Sequence, residues 1–266
     1  MKLVIFTDLD GTLLDPQTYS YREAQPGLDL IRSTRTPLVF CSSKTRSEQD
    51  TYRSELGIAD PFIVEDGGAV FIHRTYFPFR YPFDRVVGNY HVVELGLGYR
   101  EIRENLIETA RETGLSLRGY GDMTPEEVAA ETGLNVEAAR RAMAREYEET
   151  LVTRLDSNEF ERLGAALARR GIRLSRGGRF SAVTGLHDKG EAASLLADLY
   201  RRQEPGLRTV GIGDSKNDVS LLAAVDLPFV VQKPGRVWED MPVSSLHRVD
   251  GVGPIGWNRA ILGLLS

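Results

Sequence analysis

The run Leu3-Val4-Ile5-Phe6-Thr7-Asp8-Leu9-Asp10-Gly11-Thr12 sets two carboxylates, two residues apart, at the end of an apolar stretch. Such a stretch predicts a buried strand, and open α/β sheets carry their chemistry in the crevice beyond the strand ends. Two acids crowded there repel each other unless a cation neutralises them, and oxygen-only donors suit Mg²⁺. A single Asp-x-Asp is more often a plain acidic turn, but three other segments carry matching chemistry. Thr209-Val210-Gly211-Ile212-Gly213 runs into Asp214-Ser215-Lys216-Asn217-Asp218, a second strand ending in acids, with glycines that let backbone approach a ligand closely. Leu38-Val39-Phe40-Cys41 ends in the hydroxyls of Ser42 and Ser43, followed by Lys44 and Thr45. His187-Asp188-Lys189-Gly190 sets a lysine in the first turn of a predicted helix, beside the positive end of the helix dipole, where a cation without a function is disfavoured.

The elements needed to position these residues are legible around them. Strands are predicted at Leu3–Phe6, 37–41 and 62–64, with helices near 26–33 and 47–56 between them. This alternation implies a parallel sheet covered by helices. Asp66-Gly67-Gly68 reads as a turn leading to a short apolar run, 69–72. The texture changes after residues 76–82, and a second α/β unit follows. It has a strand at 91–95 and a helix at 99–113. Thr124 caps a second helix, with Pro125 at its first position and Glu127 at its third, and Asn135 caps a third over 136–146. A strand at 150–154, a helix at 157–170 closed by Gly171, and a hairpin of 172–174 with 180–183 about Gly177-Gly178 complete it. The core pattern resumes with the helix opened near Lys189 and the strands 209–213 and 229–231. Asp15 and Asp226 read as turn or cap residues without a role.

Bulk properties narrow the function classes. The chain has 266 residues and a net charge of −5. A mildly acidic chain without a basic run has no electrostatic pull toward nucleic acid or anionic membrane. No apolar stretch approaches the roughly 18 residues that span a bilayer, and no signal-peptide pattern precedes Asp8, so a cytoplasmic protein is expected. The single cysteine, Cys41, allows no internal disulfide and reads as a small buried hydrophobe.

Acid pair, hydroxyl, lysine and acid cluster, in that order, resemble the haloacid dehalogenase superfamily of aspartyl-phosphate phosphatases. The resemblance spans the whole chain. It implies an α/β fold: a Rossmann-like core with a parallel sheet, formed by residues 1–84 and 185–266, and an inserted α/β cap of the C2B type at 85–184. It further implies that Asp8 is the nucleophile toward phosphorus and that Asp10 protonates the leaving alcohol and then activates water. The metal would be held by Asp8, by the backbone carbonyl of Asp10 and by Asp214. A carboxylate can attack a dianionic phosphate only once charge is neutralised, which fits a Mg²⁺ cofactor. Ser43 would hydrogen-bond a phosphoryl oxygen, with adjacent Ser42 the competing choice, and Lys189 would offer it a point charge. Asn217 is a further phosphate contact. Asp218 would support the metal indirectly or through water, and Ser215 would position loop backbone.

Within that superfamily the chain is similar to the mannosyl-3-phosphoglycerate phosphatases. The matching stretches are 40–45, Val64-Glu65-Asp66-Gly67-Gly68-Ala69, Gly177-Gly178-Arg179-Phe180 and 214–218. Asp66 departs from the family, in which asparagine is usual, and this exchanges an amide donor for a charge. The similarity implies dephosphorylation of mannosyl-3-phosphoglycerate to mannosylglycerate, a compatible solute. The partner is then a small phosphorylated molecule, and the oligomeric state stays open. The substrate's carboxylate calls for a bidentate arginine, with Arg179 beside Gly178 as the first choice; an exposed hairpin arginine is the competing reading. Glu65 would accept sugar hydroxyls, and Arg154 and Lys44 are further candidates. Other readings are a phosphatase for glucosyl-3-phosphoglycerate or sucrose phosphate, a phosphomannomutase, and, more remotely, a non-catalytic phospho-accepting receiver-like module. A receiver needs no cap.

Overall fold

The computed structural model describes residues 2–177 and 179–266. In chain order its elements are β1 (Leu3–Thr7), α1 (Gln25–Thr34), β2 (Leu38–Phe40), α2 (Arg46–Leu56), β3 (Phe62–Val64), β4 (Ala69–His73), β5 (Arg85–Val87) and β6 (Tyr90–Glu94). Then follow α3 (Tyr99–Thr113), α4 (Pro125–Thr132), α5 (Val136–Met143), β7 (Glu148–Leu151), α6 (Ser157–Ala168), β8 (Arg173–Arg176) and β9 (Ser181–Thr184). The chain ends with α7 (Lys189–Gln203), β10 (Arg208–Gly213), α8 (Val219–Ala223), β11 (Leu227–Gln232), β12 (His247–Val252) and α9 (Pro254–Leu265). These form two compact units. One runs to Ser43 and resumes over Ile58–Val93 and Asp188–Ser266; the other comprises Lys44–Gly57 and Glu94–His187.

The first unit is built on a parallel sheet in the order β12-β11-β10-β1-β2. Every residue of β1 is buried, as expected of a strand covered on both faces. Thr7 pairs with Ile212 on one side and with Phe40 on the other. Asp8, Ser42 and Ser43, and Asp214 therefore leave the sheet at the same edge. The chain steps from β1 to β2 in one direction and returns to β10 in the other, so that edge is a topological switch point, where open α/β sheets bind ligands. A parallel bridge from Cys41 to Ile63 carries the pattern to β3, which opens an antiparallel sheet, β3-β4-β6-β5.

The second unit has an antiparallel sheet, β7-β9-β8. Leu151 and Val183 of this sheet pack against Ile102 and Leu106 of α3 and Leu163 and Leu167 of α6. Val128, Ala139 and Ala142 of α4 and α5 gather around Tyr120. Thr124 and Asn135 cap α4 and α5 as their types foretell, each accepting a backbone N–H. Several boundaries differ from the sequence reading, two of them for visible reasons. Helix α5 stops at Met143, not Glu146, because the Glu146 carbonyl turns away to accept the otherwise orphaned N–H of Tyr99 at the start of α3 (2.7 Å). The next strand starts at Glu148 and ends at Leu151, after which the Val152 N–H goes to the Arg118 carbonyl instead of the sheet.

Candidate active site

Asp8 follows β1, and its N–H donates to the Ile212 carbonyl of β10 (2.9 Å). Lys189 opens α7, whose N-cap Asp188 accepts the Glu191 N–H. Although α7 places the lysine beside a helix N-terminus, its ammonium is fully buried. It donates to Asp8 Oδ1 and Asp218 Oδ1, both at 2.7 Å, and lies 3.5 Å from Asp66 Oδ1. The other oxygen of Asp218 accepts the N–H groups of Asp214 (3.0 Å) and Ser215 (3.2 Å). Asp218 thus fixes both the lysine and the turn that presents Asp214. Carboxylate oxygens of Asp8, Asp214 and Asp218 lie within 4.8 Å of one another. Asp214 Oδ1 is buried and accepts no hydrogen bond.

Three carboxylates, Asp8, Asp218 and Asp66, therefore face the Lys189 ammonium, with Asp214 beside them. Burial, then Asp218, pushes the Asp8 carboxyl well above its ordinary range, against the pull of Lys189. Asp214 is pushed up to about 6, first by burial and then by Asp218. For Lys189 burial disfavours the charge, but Asp218, Asp8 and Asp66 outweigh it and hold the ammonium protonated far above its ordinary range. The uncompensated negative charge and the orphaned oxygen of Asp214 are what a hard divalent cation relieves. The donor set fits such an ion.

Neighbouring backbone is shaped to allow this crowding. Gly11 has φ +80°, and a Cβ there would lie 2.8 Å from Asp214 Oδ2. A Cβ on Gly213 would come within 2.6 Å of the Asp218 side chain. After β3, Glu65 and Asp66 are both left-handed (φ 48° and 55°), a conformation costly for residues with side chains. It lets the Asp66 N–H reach the Ser42 carbonyl (3.1 Å) and turns the Asp66 carboxylate toward Lys189. The other candidates are distributed as follows. Asn217 Nδ2 approaches Asp66 Oδ1 at 3.5 Å, and Ser215 Oγ pairs with Asn217 Oδ1 at 2.6 Å. Ser42 is fully buried and Ser43 half-buried, Asp10 is half-buried in the turn after Asp8, and Glu65 is fully buried. Lys44, Arg154 and Arg179 belong to the second unit. There Lys44 faces Glu48 at 3.7 Å and Arg154 is exposed. Arg179 is exposed and donates to the carbonyls of Glu131 (2.6 Å) and Thr132 (3.2 Å) at the end of α4. Gly178 lies outside the described residues. Asp15 serves a local turn, accepting from Thr18, whereas Asp226 is not a turn residue of that kind: it accepts the N–H of Thr209 in β10 and pairs with Arg201 of α7. The pairing of Asp66 with Lys189 was not foreseen; the only trace in the sequence was an acid at a position where the family carries an amide.

Comparison with known proteins places the chain in a family. The haloacid dehalogenase-like hydrolase family matches residues 5–233. A glucosyl-3-phosphoglycerate/mannosyl-3-phosphoglycerate phosphatase from Methanococcoides burtonii is 41% identical, covering 100% of this chain and 98% of its own. A mannosyl-3-phosphoglycerate phosphatase from Pyrococcus furiosus is 41% identical over 86% of this chain and 90% of its own. Among solved structures, a haloacid dehalogenase superfamily phosphatase from Bacteroides thetaiotaomicron superposes with a TM-score of 0.68 at 18% identity, covering 99% of this chain and 95% of that one. The chain belongs to the haloacid dehalogenase-like hydrolases and, within them, to the family of the mannosyl-3-phosphoglycerate phosphatases.

Proposed function

We propose that this protein is a cytoplasmic, Mg²⁺-dependent phosphatase that releases the 3-phosphate of mannosyl-3-phosphoglycerate, giving mannosylglycerate. The observation that carries the reading is the buried cluster in which Lys189 bridges Asp8 and Asp218 beside the orphaned oxygen of Asp214. Asp8 attacks phosphorus and the ester P–O bond breaks, while Asp10 gives its proton to the departing glycerate oxygen. Water then attacks phosphorus, Asp10 takes its proton, and the Asp8–phosphorus bond breaks to free inorganic phosphate. Lys189 balances the phosphoryl charge throughout, and Ser43 and Asn217 donate to its oxygens. Asp8, Asp214 and the Asp10 carbonyl would hold Mg²⁺, which supplies charge neutralisation and Lewis acidity when bound. The second unit, whose inserted part is Glu94–His187 and not the expected 85–184, acts as the cap, where Arg154, Gly178 and Arg179 select the substrate, with Lys44 of the same unit and Glu65 of the first as further candidates. Glucosyl-3-phosphoglycerate is a second substrate on this reading, since the full-length relative from M. burtonii carries both names. A phosphate-release panel tests the assignment: both glycosyl phosphoglycerates, mannose phosphates and sucrose phosphate, each with Mg²⁺ and with a chelator. The glycosyl phosphoglycerates should be hydrolysed with the highest kcat/KM and only with metal. Preference for a simple sugar phosphate, or turnover in the chelator, would refute it.

A further inference from the structure

We propose that Trp257, on the C-terminal helix, is a positioning residue for Asp8 and acts through the hydroxyl of Thr7. The inference rests on Asp8 being the nucleophile. The indole N–H of Trp257 donates to Thr7 Oγ1 at 2.9 Å, and the Thr7 hydroxyl donates to the Asp8 carbonyl at 2.7 Å. An indole N–H only donates and a carbonyl only accepts, so the relay runs in one direction and the hydroxyl has one orientation. Trp257 and Thr7 are 0% exposed and Asp8 is 4% exposed, which leaves no bulk water to replace a lost link. In so dry a setting each hydrogen bond of a chain polarises the next.

With its N–H on Ile212 and its carbonyl on Thr7, Asp8 has both backbone groups held, and the direction in which its side chain leaves the strand is set. Lys189 then meets one fixed carboxylate oxygen. The helix is anchored independently of the site. Asn258 accepts the Gly27 N–H of α1 at 2.7 Å, and a Cβ on Gly27 would lie 3.1 Å from the indole ring. Trp257 is thus a fixed reference, and replacing it by phenylalanine keeps most of the packing while removing the donor.

The test uses Trp257→Phe, Thr7→Val, Thr7→Ser and the Thr7→Val/Trp257→Phe double variant, assayed on p-nitrophenyl phosphate with Mg²⁺ beside Asp8→Asn. Trp257→Phe and Thr7→Val should each lower kcat about three- to thirtyfold, the scale of a small misplacement of a reacting group, with KM unchanged. Thr7→Ser, which keeps the hydroxyl, should restore turnover. The double variant should be no slower than Thr7→Val alone, because both changes cut one relay. Wild-type kcat in the single variants, multiplicative losses in the double, or a serine variant as slow as the valine one would each overturn the proposal. If Trp257→Phe does not fold, the valine–serine comparison decides. An active Asp8→Asn enzyme would remove the nucleophile reading and this inference with it; an inactive one beside an unimpaired Trp257→Phe variant would remove the inference alone.

Discussion

Lys189 is the residue without which the site could not exist as folded, because its ammonium is the sole cation in hydrogen-bond contact with Asp8 and Asp218 among the described residues. Removing one partner from a buried, paired charge leaves the other uncompensated, which costs far more than losing a surface ion pair. The two aspartates of the first motif differ from it in kind. Asp8→Asn should abolish turnover while leaving the fold intact, since an amide has the same shape but is scarcely nucleophilic. Asp10→Asn should slow turnover by about 10²–10⁴-fold if that residue exchanges protons with leaving group and water. Both are checked by phosphate release, and wild-type rates in the Asp8 variant, with deamidation excluded, would end the aspartyl-phosphate mechanism. Asp214 permits a test that needs no substrate. Its folded pKa of about 6 stands above the ordinary 3.8, so between these values the folded protein holds a proton that the unfolded chain has lost. The resulting stability is present at low pH and disappears as pH rises through about 6. In chelator, Asp214→Asn should therefore raise Tm relative to wild type at about pH 7.5 more than at about pH 4.5. Added Mg²⁺ should raise the wild-type Tm most at the higher pH and the variant's little. Equal Tm differences at both pH values would show that Asp214 does not titrate as its surroundings require.

At the level of elements, the site depends on three parallel strands ending at one edge and on turns tight enough to crowd acids there. Gly11 makes the clearest test, since a side chain on it would meet Asp214 at 2.8 Å and its φ of +80° disfavours any residue with a Cβ. Gly11→Ala should raise the Mg²⁺ concentration for half-maximal activity about tenfold or more, the usual scale for disturbing groups that orient a metal ligand. Gly57→Ala controls for backbone strain: its φ is +65°, but nothing lies within 4 Å of the added methyl, so its Mg²⁺ requirement should stay at the wild-type value. An equal rise in both would mean that the effect is general destabilisation. The strand ends were legible because a short apolar run followed by acids or hydroxyls has few other uses, and the caps Thr124 and Asn135 because side-chain type and position coincide. Helix α9 and strand β12 were not legible. Gly253 begins α9 without a side-chain cap, and β12 is only half-buried, so neither carries a clean period. The end of α5 was missed for another reason: the chain leaves the helix and pairs the Glu146 carbonyl with Tyr99, 47 residues earlier in sequence, and no local pattern records that. Trp257 and Asp66 share this cause, since each matters through a partner that only the fold supplies.

At the scale of the whole molecule, the residues proposed for chemistry and those proposed for selectivity are separable in sequence. Asp8, Asp10, Ser43, Lys189 and Asp214 all belong to the first unit, whereas Arg154 and Arg179 belong to the second. If those five residues carry the chemistry of any phosphate monoester, discrimination among esters falls to residues that recognise the remainder of the substrate. Arg179 tests this division because two of its N–H groups are already committed to the last carbonyls of α4, a favourable place for a cation, while others remain for a carboxylate. If it reads the glycerate carboxylate, Arg179→Ala should lower kcat/KM for mannosyl-3-phosphoglycerate roughly ten- to a hundredfold, the effect of losing a charge-assisted hydrogen bond of about 1.5–3 kcal/mol. The same variant should hydrolyse p-nitrophenyl phosphate, which has no carboxylate, at close to the wild-type rate. Arg179→Lys should recover little with the natural ester, because an ammonium keeps the charge but cannot form the two parallel bonds of a guanidinium. Equal losses on both esters, accompanied by a lower Tm, would assign Arg179 to the end of α4 alone, and recognition of the carboxylate would then have to come from another basic residue.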